Sequence, residues 1–339
     1  MTELLARASG TYSILDLIQG SVITQAISVA AKLGVADVLA QGPLPVEEIA
    51  VRVGADADAI HRLLRTLSGY GVFVAGDGGY ALTPMAEALR EDSPDSMRGL
   101  AVLMGHPLLW EIWGQLLESV RTGEASLPKV HGMGAYEFIG SQPEFAEVFF
   151  QGMRSMSDLE VGPVVEAYDF SEFATVVDVV GGAGGLLARI LDQAPRARGV
   201  LFDSKFATAN AQAVFEAASV ADRYTVTHGG HFDPLPDGAN AYILKHILHD
   251  FAEEQCLALL RNVREAIAPD GKLLVIEYVL TNDNERHLGN LIDLWLLLLL
   301  GAQERTLAQY TGLLARAGFQ VQRAVPTSSP VSVIEAIPV

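Results

Sequence analysis

Short apolar runs alternate with amphipathic stretches from residue 173 to the end of the chain. The runs are rich in Val, Ile and Leu, and the stretches between them repeat their apolar residues at helical spacing. Regular alternation of strand and helix predicts a mostly parallel, doubly wound α/β sheet with a Rossmann-like order of elements. The predicted strands are 175–180, 199–203, 224–227, 240–245, 271–278, 319–324 and 331–337.

The beginning of the chain has helical periodicity instead. Over 12–40 the pattern predicts two helices whose apolar faces are wider than one domain needs, and over 43–84 it predicts a helix, a turn, a second helix and a hairpin. That order is a winged helix, a unit that often binds DNA. The second helix offers only His61, Arg62 and Arg65 as polar contacts to DNA, so we predict a dimerisation module.

These patterns divide the chain into three parts. We predict an N-terminal helical, winged-helix dimerisation domain over 1–97, a helical linker over 98–165 and a Rossmann-like domain over 166–339. The linker is rich in aromatic residues, and ligand sites commonly form between domains. Three of its side chains are predicted to line an apolar substrate pocket: Trp113, Phe149 and Met153.

The charge of the chain narrows the class of partner. Asp and Glu total 41 against 23 Lys and Arg, and the net charge of −18 repels nucleic acid and anionic membranes. The single cysteine, Cys256, excludes an intrachain disulfide. The most apolar segment, 291–300, is interrupted by Asp293 and is shorter than the ~20 residues of a membrane span. We therefore predict a cytoplasmic protein that acts on a small molecule, without nucleic acid or membrane.

A glycine-rich turn gives the clearest chemical signal. The strand 176–180 runs into Gly181 and Gly182 and then into a helix, so backbone N–H groups and the helix N-terminus can approach an anionic or nucleotide-like ligand. Asp203 ends the next strand and is placed to accept hydrogen bonds from ribose hydroxyls. A dinucleotide fingerprint fails because its sixth position is Leu187, so NAD is disfavoured.

Asp178 and the glycines after it are followed, in order, by the segments 230–236, 242–251, 271–277 and 301–306. Together these residues resemble the small-molecule O-methyltransferases of plant caffeate and flavonoid metabolism and of bacterial polyketide tailoring, over nearly the full length. The resemblance implies a class I methyltransferase fold, S-adenosylmethionine as cofactor, and a homodimer formed through an N-terminal winged-helix domain.

The resemblance also implies roles for single residues. His249 matches the general base of the family, and Glu277 and Glu304 match the glutamates that orient it. A histidine titrates near neutrality and suits a phenol or enol, and a base of this kind contributes about 10²–10⁴-fold to a rate. The implied cofactor contacts are Asp178, Gly181, Gly182, Asp203, His231, Phe232 and Lys245, and His246 and Trp295 join the predicted substrate pocket.

Spacing alone leaves the histidines ambiguous. His246 and His249 are three residues apart, as on one helix face, and ordinary surface or core positions would explain them equally well. A metal site formed by these two residues and Asp250 is conceivable. The branch of the family that the chain resembles needs no metal, so we predict none.

Several positions depart from the family pattern. Val180 stands where the family usually has glycine, Ser204-Lys205 replaces Leu-Pro, and His231 replaces the acidic residue that contacts the adenine amine. The resemblance predicts methylation of a hydroxyl on a small aromatic or polyketide-like metabolite. The departures leave a second hypothesis open: a repurposed enzyme that cyclises, rearranges or hydroxylates a natural-product intermediate. In such an enzyme the cofactor would assist the reaction, bind weakly or be lost. A non-catalytic, dimeric ligand-binding regulator is disfavoured by the intact histidine and glutamates.

Overall fold

The computed structural model describes residues 10–339, which form two compact units. The first unit contains residues 10–114 together with Tyr136–Ser157, and the second contains Gln115–Ala135 and Asp158–Val339. The segment 98–165, predicted as one linker, therefore contributes helices to both units.

In the first unit, a helix, a turn, a second helix and a two-stranded hairpin follow one another over residues 46–82, as the winged-helix prediction requires. Gly54 ends the first of these helices with a φ of +67°, and the Asp56 side chain caps the next by accepting from Ala59 N at 2.9 Å. The elements of the unit are α1 (Gly10–Ile18), α2 (Gly20–Lys32), α3 (Val35–Val38), α4 (Val46–Val53), α5 (Ala57–Gly69), β1 (Phe73–Gly76), β2 (Gly79–Leu82), α6 (Pro84–Glu87), α7 (Arg98–Met104) and α8 (Pro107–Trp113).

The two N-terminal helices expose much of their apolar surface. Leu17 is 74 % exposed, and its neighbours Ile14, Ile18 and Val22 are exposed as well. Among residues 10–339, Ser13–Lys32 is the one helical stretch long and apolar enough, by length and composition, to cross a membrane, and little of it is buried. An exposed apolar surface of this kind, on a chain with such a high net charge, indicates a site where another molecule binds.

Four helices follow Gly114, the residue at which the continuous part of the first unit ends. They are α9 (Leu116–Thr122), α10 (Ser126–His131), α11 (Ala135–Ser141) and α12 (Pro143–Ala167). Residues 158–167 of α12 belong to the second unit.

The second unit is built on one large sheet, and every strand predicted in it is present. The strands are β3 (Thr175–Val179), β4 (Arg198–Asp203), β5 (Tyr224–His228), β6 (Ala241–Lys245), β7 (Lys272–Leu280), β8 (Arg305–Thr306), β9 (Phe319–Pro326) and β10 (Val331–Pro338). The strand order is β5-β4-β3-β6-β7-β10-β9, parallel from β5 to β7, with β10 antiparallel to both of its neighbours. The helices are α13 (Gly185–Gln193), α14 (Ala211–Ala217), α15 (Glu253–Ala266), α16 (Leu288–Leu300) and α17 (Leu307–Arg316).

Both faces of this sheet are buried. Val176 packs in a core cluster with Phe215 and Val164, while its neighbour Val177 packs in a second cluster with Leu260 and Tyr310, as alternation along a strand requires. Strands buried on both faces leave ligands only the sheet edges, and the parallel strands β3, β4, β6 and β7 all end at the same edge.

Candidate functional site

The turn after β3 contains glycines, so few side chains cover its backbone. A Cβ on Gly181 would lie 2.4 Å from Asp178 Oδ2, so only glycine fits there. Gly182 has a φ of +61°, and a Cβ on it would meet nothing within 4 Å. Its N–H donates to Asp203 Oδ2 at 2.9 Å and so ties the turn to the end of β4. The hydrogen bond to Asp203 therefore fixes the turn, while the space next to Gly182 stays open.

Val180 precedes these glycines in an uncommon conformation. Its φ is +60°, the left-handed region that costs an L-residue about 1–2 kcal/mol and that β-branched residues rarely adopt. The N–H of Val180 donates to Phe202 O at 2.6 Å, and its side chain is partly buried against the core cluster of Val177. The residue that departs from the family's glycine thus occupies a backbone position that favours glycine.

The carboxylates of this turn differ in their surroundings. Asp203 is nearly buried, and Oδ1 accepts from Ser204 N at 2.6 Å. Asp178 is fully enclosed, and burial raises the pKa of its carboxyl group to about 7; the nearby Lys245 ammonium works against this and the Asp203 charge adds to it. Asp178, Gly181, Gly182 and Asp203, predicted as cofactor contacts, do lie together.

The other predicted cofactor residues lie in two further groups. His231 and Phe232 pack edge to face against the Phe251 ring at centroid distances of 5.3 and 5.2 Å, and Phe232 is half exposed. Lys245 ends β6, and its Nζ forms an ion pair at 2.7 Å with Glu160 Oε2. Lys245 therefore belongs to the charged group around Glu160.

His249, Glu277 and Glu304 form a buried group at the ends of β6 and β7. His249 Nδ1 lies 2.7 Å from Glu304 Oε1 and 3.4 Å from Glu277 Oε2. Glu277 Oε1 accepts the N–H groups of Ile247 at 3.1 Å and Leu248 at 2.9 Å, so this carboxylate also fixes the backbone before His249. The three residues predicted to act together are in contact.

The segment carrying the two histidines is not a helix, and the idea that they share one helix face is wrong. His246 follows β6 with a φ of +55°, and His249 lies in a 3₁₀ turn, Leu248–Asp250. The two rings are nonetheless stacked, with centroids 5.1 Å apart and planes 22° apart. Buried Arg305 holds the turn by donating to Leu248 O at 2.7 Å and Phe251 O at 3.1 Å.

The carboxylates decide the protonation of His249. Burial alone would lower its pKa, but the charge of Glu277 and the hydrogen bond to Glu304 outweigh burial and raise the pKa of His249 to about 10. The same contacts lower the pKa of Glu277, whereas burial raises the pKa of Glu304. The two carboxylates therefore favour the imidazolium form of His249.

Glu160, which the sequence reasoning missed, is the centre of a neighbouring group. It is 3 % exposed, and its two oxygens accept from Lys245 Nζ, His246 Nε2 and Tyr278 Oη, each at 2.7 Å. The opposite charges of Lys245 and His246 hold the pKa of Glu160 at about 2, against the effect of burial. One signal could have identified it: Glu160 stands four residues before fully buried Val164, on the apolar stripe of α12.

The predicted pocket residues divide between the units. Trp113, Phe149 and Met153 are partly buried in the first unit, and Phe149 packs against its neighbouring phenylalanine rings. His246 and buried Trp295 belong to the second. Their common role as a substrate pocket stays a prediction.

Asp293, the residue that interrupts the leucine run of α16, has a structural role. Its Oδ1 accepts from Glu304 N at 2.7 Å, so α16 positions the carboxylate that contacts His249. Within the described residues, His246, His249 and Glu277 each place one nitrogen or oxygen within 4.8 Å of the others. Both histidines already contact carboxylates, and the expectation that the protein uses no metal stays a prediction.

Comparisons with known proteins agree with this geometry. The O-methyltransferase domain family matches residues 113–320, and the O-methyltransferase dimerisation domain matches 15–92. A phenazine O-methyltransferase of Lysobacter antibioticus is 39 % identical over 96 % of each chain. The chain belongs to the O-methyltransferase family. This confirms the resemblance, the methyltransferase fold and the dimerisation module expected from the sequence.

Two other members of the family connect the fold to its ligands. A mitomycin biosynthesis 6-O-methyltransferase of Streptomyces lavendulae is 36 % identical, covering 97 % of this chain and 95 % of its own. An O-methyltransferase from neocarzinostatin biosynthesis, solved with S-adenosylmethionine and 2-hydroxy-5-methyl naphthoic acid, is 34 % identical with a TM-score of 0.77, covering 94 % and 96 %.

The glycine turn fits the cofactor that this family uses, S-adenosylmethionine. The space above Gly182 is open, Asp203 keeps lone pairs free for hydroxyl donors, and α13 begins at Gly185 with its N-terminus at the turn. The side chain of Val180 is the feature that fits least, because it adds volume beside the turn.

Proposed function

We propose that this protein transfers a methyl group from S-adenosylmethionine to a phenolic or enolic hydroxyl of an aromatic or polyketide-like metabolite, with His249 holding the acceptor's proton. The contact that carries the proposal is the 2.7 Å pair of His249 Nδ1 with buried Glu304, flanked by Glu277. A carboxylate on Nδ1 fixes the ring, so Nε2, which lies 3.4 Å from Asp250 Oδ1, is the nitrogen that we assign to the substrate oxygen.

Bound S-adenosylmethionine supplies an electrophilic methyl group on a sulfonium, which an oxygen attacks in line. The residues of this chain must therefore deliver an aligned, deprotonated oxygen; alignment is worth up to roughly 7–11 kcal/mol. The pKa of His249, about 10, is close to the ordinary value of a phenol, about 10, so a proton moves between the two with little cost. Loss of one proton from this pair to solvent leaves a phenolate beside an imidazolium.

The cofactor-side roles follow from the turn. We propose that the backbone of Gly181 and Gly182 and the carboxylate of Asp203 bind the cofactor, with His231 and Phe232 beside its adenine. The exposed apolar faces of α1 and α2 support a homodimer formed through the N-terminal domain, and we expect the protein in the cytoplasm. In gel filtration with light scattering, a mass of twice 36.3 kDa is expected, and a monomer at micromolar concentration would contradict the dimer.

Methyl transfer is tested directly with labelled cofactor. The protein is incubated with methyl-labelled S-adenosylmethionine and with a hydroxyphenazine or a hydroxynaphthoic acid, and the methyl ether is identified by mass spectrometry. His249→Ala is expected to lower kcat/KM by about 10²–10⁴-fold while the affinity for S-adenosylhomocysteine stays within twofold of the parent. An unchanged rate would remove His249 from the chemistry.

A second candidate, a member of the family that no longer methylates, is favoured by one observation. The branched side chain of Val180, at a φ of +60°, stands beside the turn that must accept the methionine part of the cofactor. Isothermal titration with S-adenosylmethionine and S-adenosylhomocysteine separates the candidates. Micromolar binding supports methylation or a cofactor-assisted reaction, whereas no heat at millimolar ligand would contradict the first proposal.

A further inference from the structure

The group around Glu160 has no role in the chemistry proposed so far. It holds a carboxylate, an ammonium, an imidazole and a phenol, and three of these side chains are almost completely buried. Burying several ionisable groups together is costly unless each is paired. Here Glu160 satisfies three donors at 2.7 Å, which gives a well-formed cluster that demands an explanation.

Glu277 connects this group to His249. Its Oε2 lies 3.4 Å from Nδ1 of His246 and 3.4 Å from Nδ1 of His249, midway between the stacked rings. Within the described residues, neither Glu277 Oε2 nor His246 Nδ1 has a hydrogen-bond partner, so the two atoms face each other as an ion pair at 3.4 Å. Acids and bases therefore alternate along one line: Glu160, His246, Glu277, His249 and Glu304.

We infer that Glu160 and His246 form a second carboxylate–histidine pair that sets how strongly His249 holds its proton, through the carboxylate of Glu277 that both imidazoles share. The inference rests on the proposed function, because it makes Glu160 and His246 positioning residues for the histidine assigned to the acceptor's proton. Neither residue needs to touch the substrate.

The physical reason is competition for one carboxylate. Glu160 keeps His246 protonated. The positive charge of His246 then offsets part of the negative charge of Glu277 and repels a positive charge on His249, whose ring centroid is 5.1 Å away. Without His246, the whole charge of Glu277 would act on His249. His246 thus makes His249 a weaker holder of its proton, which brings its basicity closer to what methyl transfer near neutral pH requires.

The charged and titratable groups around the two rings come from several elements. They are Glu160 of α12, Lys245 at the end of β6, Asp250 of the 3₁₀ turn, Cys256 of α15, Glu277 and Tyr278 of β7, Asp293 of α16, Glu304, Arg305 of β8 and Tyr310 of α17. The substitutions below leave all of these unchanged except Glu160.

The decisive variant is His246→Phe, which keeps a flat ring between His249 and Tyr278 but carries no charge. The full-length protein is labelled at histidine Cε1, and its eight histidines are titrated by NMR, with the His249 signal assigned by its loss in His249→Gln. We expect the midpoint of His249 to rise by about one pH unit in His246→Phe. His61→Phe, a change in the first unit, should leave this midpoint where it is.

The pH profile of methyl transfer gives a readout that a purely structural role would not move. The midpoint of the acidic limb of kcat/KM, read relative to the variant's own plateau at high pH, should shift upward by about one unit in His246→Phe. An unchanged or lowered His249 midpoint would overturn the inference. A loss of rate by the same factor at every pH would overturn it as well.

Glu160→Gln keeps the inference testable if the first variant does not fold. It preserves shape and removes one charge, so the NMR midpoint of His246 should fall by about one unit or more. A His246 midpoint that does not fall would contradict the pairing. These titrations are read without turnover, so they stand even if His249→Ala retains activity and the proposed function fails.

Discussion

The two sides of the site at the sheet edge are built in opposite ways. On the side proposed for the acceptor, buried His249, partly buried His246 and three buried glutamates hold one another by charge. On the side proposed for the cofactor, the turn at Val180–Gly182 is held through its backbone N–H groups, which donate to Phe202 O and Asp203 Oδ2, and His231 and Phe232 pack against the ring of Phe251.

This difference predicts how each side responds to change. Where side-chain charges pair in a buried place, removing one leaves its partners unpaired, so stability and protonation change together. Where hydrogen bonds of the backbone fix the structure, a side chain can be replaced at a moderate cost in stability. The departures from the family pattern fall on the cofactor side, at Val180, Ser204-Lys205 and His231, as this reasoning expects.

The largest effect is expected for Glu277→Ala. Glu277 is fully buried, accepts the N–H groups of Ile247 and Leu248, and faces two imidazoles. We expect the free energy of unfolding to fall by about 3–5 kcal/mol, measured by urea denaturation at pH 7.

Glu277→Gln is the matched control for that measurement. Its amide oxygen still accepts the two N–H groups, so it should lose about 1–3 kcal/mol less than the alanine variant. If both variants unfold at the parent's urea concentration, the acceptor side is not held by charge and the contrast between the two sides disappears.

The sequence predicts the fold well because most of the fold depends on short-range patterns. Strands buried on both faces are continuous apolar runs, and the glycines that follow β3 mark its turn whatever lies elsewhere in the chain. Each of the predicted strands in the second unit is present within a few residues of its expected bounds.

The site is predicted only in part, and the failures have physical causes. The left-handed turn at His246 has no local signal, because contacts distant in sequence fix it, among them those of Glu277 and Arg305 with the backbone that follows. Glu160 lies 86 residues before His246 and reads as one acid on an amphipathic helix. Its role depends on which strand end packs beside it, and a single sequence does not contain that.

The next largest effect concerns pH and the cofactor side. Burial raises the pKa of the Asp178 carboxyl group to about 7, above the unfolded value of about 3.9. Between these two values the folded protein binds more protons than the unfolded chain, so the stability from this group is present below about pH 4 and is lost as the pH rises to about 7.

Asp178→Asn should therefore gain stability relative to the parent as the pH rises. The difference in unfolding free energy is expected to grow by up to about 4 kcal/mol between pH 4 and 7 and then to level off. Urea denaturation at five pH values measures it. A difference that does not vary with pH for Asp178→Asn would refute the raised pKa of this group.

A smaller effect tests the backbone of Val180. At a φ of +60° glycine avoids the steric cost that alanine shares with valine. We expect Val180→Gly to be more stable than Val180→Ala by about 1 kcal/mol. At Val51, an 81 % exposed helical position, the order should reverse, with glycine less stable by about 1 kcal/mol. The same order at both positions would mean that Val180 is not strained.

The smallest effect is expected for His231→Asp, which returns the acidic residue that the family places against the adenine amine. A carboxylate that accepts one hydrogen bond from this amine contributes about 1 kcal/mol, so the Kd for S-adenosylhomocysteine should fall about five- to tenfold in isothermal titration. His231→Asn has the same shape without the charge and should bind more weakly than the aspartate variant. Equal affinities for these two variants would mean that position 231 does not contact the adenine. The departure from the family pattern would then concern the packing against Phe251 and leave cofactor recognition to Gly182 and Asp203.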